Sequence, residues 1–376
     1  PPPTTAPPTT GLPTTTPPAT TPITKEEPKY GGTLTVAGTL DIMRSWDPYK
    51  YYSIYTTHRI GSTVLEPLGI GDRAIGPGGT NEWAYTSPYY LATKYIRPWL
   101  AESWEMSPDG MAVTVHLRKG IHFQDKLPAN GRELTADDVK YCWDRRCGTG
   151  SGFTEPTPWN STVGVKAMKE ITVIDKYTVA FKAKYFNFEF IRDCFIGYYT
   201  EIYPPEVIKT YGNMEDWHNV CGTGPFILVD YVAGSQLTLK KNPNYWGYDE
   251  LHPKNKLPYY DELKSLIIPD SSTLISAVRT GKVDYTAYFT ITDKDKAQLE
   301  KTMPWQPQFG TIYAGYSVSM FPQMTYPPLS DLRVRQALCM GMNFKEIADT
   351  LGGENSCPYG SFVNDAFSTD IFTPFQ

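Results

Sequence analysis

Leu100-Ala101-Glu102-Ser103-Trp104 leads to Ser107-Pro108-Asp109-Gly110, then Val113-Thr114-Val115-His116-Leu117, then Arg118-Lys119-Gly120-Ile121-His122-Phe123, and Thr135-Ala136-Asp137-Asp138-Val139 follows. Each piece has a local physical reading. Asp109-Gly110 is a hairpin turn. It feeds a strand whose Val113, Val115 and Leu117 share one face. Arg118-Lys119-Gly120 turns the chain out of that strand. Thr135 caps a helix with Asp138 at N3, an approximate capping box because Glu or Gln usually stands there. Asp137 and Asp138 then sit in a first turn, where the helix dipole favours negative charge. That structural role accounts for the paired carboxylates.

Outward from this stretch the chain reads as mixed α/β. Gly31-Gly32 opens an alternating strand over Thr33-Leu34-Thr35-Val36-Ala37, and Trp46-Asp47-Pro48 is a turn. Tyr177 to Phe181 and Gln236 to Lys240 are further strands, the latter stopped by Asn242-Pro243. Gly222-Thr223-Gly224-Pro225 is a flexible-then-rigid corner that sends Phe226 into a strand. Ser272 to Thr280 reads as a helix carrying Leu274, Ile275 and Val278 on one face, with Gly281 as its stop. Asp331 caps a last helix striped by Val334, Ala337, Leu338 and Gly341, with Arg333 and Arg335 opposite the stripe and available for ion pairs. Residues 71–100, rich in Gly, Pro, Tyr and Trp, read as an irregular insertion. The regular rhythm of a single doubly wound sheet is missing, and no internal repeat is evident.

Residues 1–24 hold nine Pro, ten Thr and no charge. Such a tract cannot bury enough apolar surface to offset its ordering entropy. An extended, semi-rigid stalk is expected over 1–28. The whole chain of 376 residues carries 35 Lys+Arg against 40 Asp+Glu, net −5, which lacks the basic surplus of an electrostatic nucleic-acid binder. No run of 18 apolar residues is present, so no segment spans a membrane as an apolar helix. Twenty-seven Tyr and nine Trp suit surfaces that stack on ligands, and equally a Tyr-rich core.

Catalytic and cofactor patterns are not found. Gly69-Ile70-Gly71-Asp72-Arg73-Ala74 matches G-x-G-x-x-A, but Ile75-Gly76-Pro77-Gly78-Gly79 follows where a pyrophosphate site needs a helix N-terminus. There is no P-loop, no G-x-S-x-G elbow and no H-E-x-x-H. His116 is read as the polar face of its strand rather than as a metal ligand with His122. Cys142 and Cys147 lack a second pair at zinc spacing, leaving a disulfide or two free thiols. Neither metal nor cofactor is expected, and nothing nominates an enzyme.

The opening stretch resembles the long signature of family 5 extracellular solute-binding proteins, the oligopeptide- and dipeptide-binding components of ABC importers. Three further blocks resemble the same family in the same order. They are Gly222-Thr223-Gly224-Pro225-Phe226 with Lys241-Asn242-Pro243-Asn244-Tyr245-Trp246, then Pro258-Tyr259-Tyr260-Asp261-Glu262-Leu263 running to Gly281-Lys282-Val283-Asp284, then Pro328-Leu329-Ser330-Asp331-Leu332-Arg333-Val334-Arg335-Gln336-Ala337-Leu338. Two positions depart from the family pattern. Asp125-Lys126 replaces the usual Asp-Gly, so that turn is expected to differ, and Gly341-Met342-Asn343 replaces Ala-Ile-Asp. The family's length implies a fragment lacking both ends, with the last domain cut at Gln376.

The resemblance implies an α/β, two-lobed periplasmic-binding-protein-like fold of type II with an inserted subdomain. Lobe I is expected over 29–62 and 171–286, the insertion over 63–170, and an incomplete lobe II from 287 to 376. It implies a monomeric, non-catalytic binding protein on the extracellular face of the membrane or in the periplasm, anchored through a lipidated Cys outside the sequence. The lobes would close on a ligand and deliver it to an ABC permease. Short peptides are the expected cargo, with oligosaccharides as the alternative if Trp46 and Trp83 form flat platforms in the cleft. Nickel chelates rank third. Carbohydrate-active enzyme and sensor or adhesin are readings from other classes. Candidate ligand contacts are Asp41, Met43, Arg44 and Trp46 after the first strand, Tyr316, Ser317 and Ser319 in the last domain, and Tyr55 and Trp83. An exported setting permits pairs Cys142–Cys147, Cys194–Cys221 and Cys339–Cys357.

Overall fold

The structure, a computed structural model, describes residues 27–39, 45–50, 63–76, 80, 82–83, 91–157, 163–187, 190–196, 200–287, 293–303, 323–343 and 346. Its strands are β1 (Thr33–Gly38), β2 (Gly69–Gly71), β3 (Ile96–Pro98), β4 (Ala101–Met106), β5 (Ala112–Leu117), β6 (Met168–Asp175), β7 (Thr178–Ala183), β8 (Phe226–Val232), β9 (Gln236–Lys241), β10 (Glu262–Ile267) and β11 (Tyr285–Thr286). Its helices are α1 (Ala136–Cys147), α2 (Val163–Ala167), α3 (Phe190–Phe195), α4 (Pro205–Tyr211), α5 (Ser271–Arg279), α6 (Asp293–Thr302), α7 (Pro327–Ser330) and α8 (Leu332–Gly341).

Two sheets organise them. One has the order β11-β1-β10-β9-β8; β1 runs parallel to β10 and β11, and the β10-β9-β8 side is antiparallel. The other is antiparallel, in the order β4-β5-β7-β6. It therefore takes in β6 and β7, and residue 170 lies inside β6. Strands β2 and β3 pair across the stretch read as irregular.

The four-stranded sheet forms as its sequence dictates. Ser107 and Asp109 build the hairpin turn, with Asp109 accepting from Met111 N at 3.0 Å and Gly110 in the left-handed region at φ 68°. Val113, Val115 and Leu117 are buried with Val179 and Phe181 of β7. Helix α1 covers this face, and Trp143 meets Phe181 edge-on at 5.4 Å. Burying such side chains stabilises by about 1.5–3 kcal/mol each. The Asp at N3 does complete the capping box, because its Oδ2 accepts from Thr135 N at 2.8 Å.

The corner at Gly222-Thr223-Gly224-Pro225 joins three distant segments. Gly224 N donates to Val64 O at 3.0 Å, Gln124 N to Gly222 O at 2.8 Å, and Asn242 Nδ2 to Gly224 O at 3.0 Å. A Cβ on Gly222 would sit 2.1 Å from Val64 O. The glycines thus serve a close backbone approach as well as a bend. Beneath the corner, Glu66 is buried and accepts from Thr223 (2.7 Å), Trp99 Nε1 (2.7 Å), Tyr245 (2.8 Å) and Trp246 Nε1 (3.1 Å).

Three expectations change in detail, and the Asp125-Lys126 departure takes a defined form. At the Asp125-Lys126 departure, the left-handed residues are Asn130 and Gly131, and Lys126 Nζ donates to Val220 O at 3.0 Å. Arg333 pairs with Asp331 at 2.7 Å, whereas Arg335 donates to the carbonyls of Leu329 and Ser330 instead of forming an ion pair. The α8 stripe is not buried among the described residues, since Ala337, Leu338 and Gly341 are exposed, Leu338 by 41%. Cys142, Cys147, Cys194 and Cys221 are buried free thiols. Cys142 and Cys147 lie on one helix, and Cys142 donates to Tyr203 O at 3.3 Å. Cys357 lies outside the described residues, and so does the Cys339 side chain.

Candidate functional site

The parallel strands define one edge of the five-stranded sheet. β1, β10 and β11 all end there, at Gly38, Ile267 and Thr286. In open α/β sheets ligands bind outside the carboxyl ends of such strands, where diverging connections leave a crevice. Ile268 N donates to Gly38 O and Ala287 N to Ala37 O, both at 2.8 Å, which locks the three exits together. After β10 the chain enters α5, capped by Asp270 through Thr273 N at 2.7 Å. Leu274 of α5 packs with Ala37 and Val283, and the helix stops at Thr280 and Gly281, φ 68°.

After β1, residues 40–44 connect this edge to a buried anchor. Asp47 is 1% exposed. Arg145 of α1 donates to both its oxygens, at 3.0 and 2.6 Å, and Met214 N donates to Oδ2 at 3.3 Å. Asp47 Oδ1 also accepts from Tyr49 N at 3.1 Å, and Asp47 N donates to Ser45 Oγ at 3.1 Å. Arg145 further donates to the Tyr203 hydroxyl at 2.9 Å. Tyr49 donates to Glu201 O at 2.9 Å. Burial pushes the Glu201 carboxyl up to about 7, opposed in part by the Arg146 charge. Burial also lifts the Tyr49 and Tyr203 phenols well above their ordinary value.

Trp46 is 5% exposed and meets Tyr231 of β8 edge-on at 4.9 Å. It is a core side chain, not a platform. Trp83 is half-buried; its Nε1 donates to Asp72 O at 2.9 Å, and its ring presses on Gly71 and Gly76, whose added Cβ atoms would meet it at 2.8 and 2.4 Å. Asp41, Met43, Arg44, Tyr55, Tyr316, Ser317 and Ser319 lie outside the described residues. Of the nine expected contacts only Trp46 and Trp83 are among the described residues, and each is packed against other parts of the fold. Sequence reading quoted Asp47 only as a turn residue and missed its pairing with Arg145. The available signal was an acid in a Trp-Asp-Pro turn and an Arg pair ending a capped helix. Among the described residues no group of three or more His, Cys, Asp or Glu side chains is placed to hold a metal, and no helix is long and apolar enough to cross a membrane.

The family of bacterial extracellular solute-binding proteins, family 5 Middle, matches residues 95–374. Di/tripeptide-binding protein 1 of Pseudomonas aeruginosa is 30% identical over 268 residues, covering 68% of this chain and 47% of that protein. The dipeptide-binding protein of Escherichia coli is 28% identical over 296 residues (74% and 52%), and heme-binding protein A of Haemophilus influenzae 26% over 307 (77% and 53%). The chain spans about half the length of these curated relatives. Among solved structures, the periplasmic binding protein DppA from Helicobacter pylori in complex with peptide STSA superposes with a TM-score of 0.57 at 25% identity, covering 73% of this chain and 50% of that one. The block order, the mixed α/β sheets and the extent of these matches agree: the chain belongs to the bacterial extracellular solute-binding proteins, family 5.

Proposed function

We propose that the chain belongs to a substrate-binding protein that captures short peptides and delivers them to an ABC permease. The ligand would lie at the carboxyl edge of β1, β10 and β11, between a first lobe and a second that begins near residue 287. The observation that carries this reading is the convergence of three strand exits on one edge, with the 40–44 connection tethered at its far side by the Asp47–Arg145 pair. The peptide assignment draws on the di/tripeptide- and dipeptide-binding names of the relatives. The first lobe comprises the five-stranded sheet, and the inserted subdomain is the four-stranded one, its limit drawn after β7. Closure of the lobes would be a population shift driven by contacts made to both. Residues 1–28 would act as a stalk from a lipid anchor on the extracellular face, with a monomer as the working unit.

The oligosaccharide alternative is not carried forward, because Trp46 is buried in the core and the half-buried Trp83 has its ring pressed on Gly71 and Gly76. The test is a thermal-shift screen of the full-length protein against di- to pentapeptide and oligosaccharide libraries. A ligand at 100 times its Kd adds about 2.7 kcal/mol to the folded state. A raised Tm with peptides is the expected result. Stabilisation by oligosaccharides alone would sink the peptide assignment and leave the binding-protein reading intact.

A further inference from the structure

The opposite edge of the five-stranded sheet carries a second cleft. Lys240 of β9 pairs with Glu262, which also aligns with Thr33, so the chain after Lys241 leaves at the amino ends of the parallel strands. A cleft of about 340 Å³ opens there, lined by Arg97, Trp99, Arg118, Trp246, Tyr248 and Glu250. That volume suits a small molecule. A stable protein interface would instead need roughly 1,200–2,000 Å² of buried surface.

The lining is built rather than incidental. The Trp99 and Trp246 rings lie 5.0 Å apart, and both indole N–H groups donate to the buried Glu66, which fixes the two rings from behind. The Arg97 guanidinium lies over Trp99 at 5.0 Å and that of Arg118 over Trp246 at 5.9 Å. Arg97 pairs with Glu250. Arg118 donates its Nε to Trp99 O at 2.7 Å, so its terminal pair of nitrogens remains for a ligand, the fork that grips carboxylates bidentately. We propose that this amino-edge cleft is a second binding site, for a small carboxylate with a flat apolar body, separate from the site at the carboxyl edge. The indoles supply the apolar contact, Arg118 takes the acid group, and Glu250 competes with it for Arg97.

The test uses the full chain, titrated with benzoate and with its neutral isostere benzamide, read by tryptophan fluorescence and calorimetry. Benzoate should bind saturably and benzamide roughly tenfold more weakly or worse, the worth of one hydrogen bond to a charged group. Arg118→Ala should weaken benzoate by a similar factor. Glu250→Gln, at a partly exposed position, should tighten it severalfold by freeing Arg97. Saturating dialanine should displace no benzoate. Equal affinity for benzoate and benzamide, displacement by dialanine, or a Glu250→Gln protein with unchanged benzoate affinity would each overturn the proposal. Should Arg118→Ala fail to fold, the Glu250→Gln result decides alone.

Discussion

Arg145 holds the Asp47 carboxylate with both terminal nitrogens, at 3.0 and 2.6 Å, across 98 residues of sequence. The pair joins the segment after β1 to the helix lying on the four-stranded sheet. Both side chains are buried, so removing one strands the other charge without solvent. Breaking a buried pair in this way costs about 3–5 kcal/mol. Asp47→Ala and Arg145→Ala should each lower the urea midpoint accordingly. Their double-mutant cycle should show strong coupling, and an additive double mutant would contradict the pairing. Peptide binding should weaken as well, because the 40–44 connection loses its far anchor.

The glycine corner makes a sharper test of close packing. An alanine Cβ at Gly222 meets Val64 O at 2.1 Å, and one at Gly224 meets Thr63 O at 2.6 Å, both backbone atoms that cannot swing aside. At Gly120 nothing lies within 4 Å, and the only cost is a left-handed φ of 75°. Gly120→Ala should therefore lose about 1–2 kcal/mol. Gly222→Ala should lose more than that or fail to fold, with Gly224→Ala between. Reversal of that order in denaturant unfolding would show that the corner yields.

Free thiols buried this deeply should be silent. Burial pushes Cys147 and Cys221 up to about 12 and Cys142 and Cys194 further. The thiolate is the reactive form, so at pH 8 these four should not react with an aromatic disulfide reagent in the folded protein. Of six cysteines, no more than two should titrate natively, and at least four after unfolding without reductant. Fewer than four after unfolding would mean a disulfide among them.

What was legible in the sequence follows from the range of each force. Alternation over Val113–Leu117, the Asp109-Gly110 turn and the Thr135 cap depend on neighbours within a few residues, and they stand as read. Strand order does not: β1 pairs with β10 across more than 220 residues, which no local period encodes. The burial of Trp46 is hidden for the same reason. An aromatic in a Trp-Asp-Pro turn carries no local sign of Tyr231, 185 positions away, whose ring meets it edge-on. Glu66 drew no notice because its four donors come from Trp99, Thr223, Tyr245 and Trp246. A buried acid has no sequence signature when its partners are distant. The expected ligand contacts at 41–44, 55 and 316–319 lie outside the described residues, so on the site the structure speaks through its anchors alone.

Glu201 supplies a pH dependence with a defined sign. Burial raises its folded-state pKa to about 7, and Oε2 has no hydrogen-bond partner to hold the charge. In the unfolded chain an ordinary Glu titrates at 4.5. Between those values the folded state binds more protons than the unfolded one, so stability falls as pH rises through that window and levels off above it. The full loss is about 3 kcal/mol, from some 2.5 pKa units at 1.36 kcal/mol each. Glu133 titrates in the other direction but lower, near 2, where its Lys176 and Gly120 hydrogen bonds hold it, so the two windows do not overlap. Glu201→Gln is neutral throughout. Its stability should match the wild type near pH 4.5 and exceed it progressively to pH 8. The measurement is the urea unfolding free energy of both proteins at half-unit steps, read as a difference so that every other titrating group cancels. A flat difference curve would mean that solvent reaches this carboxylate.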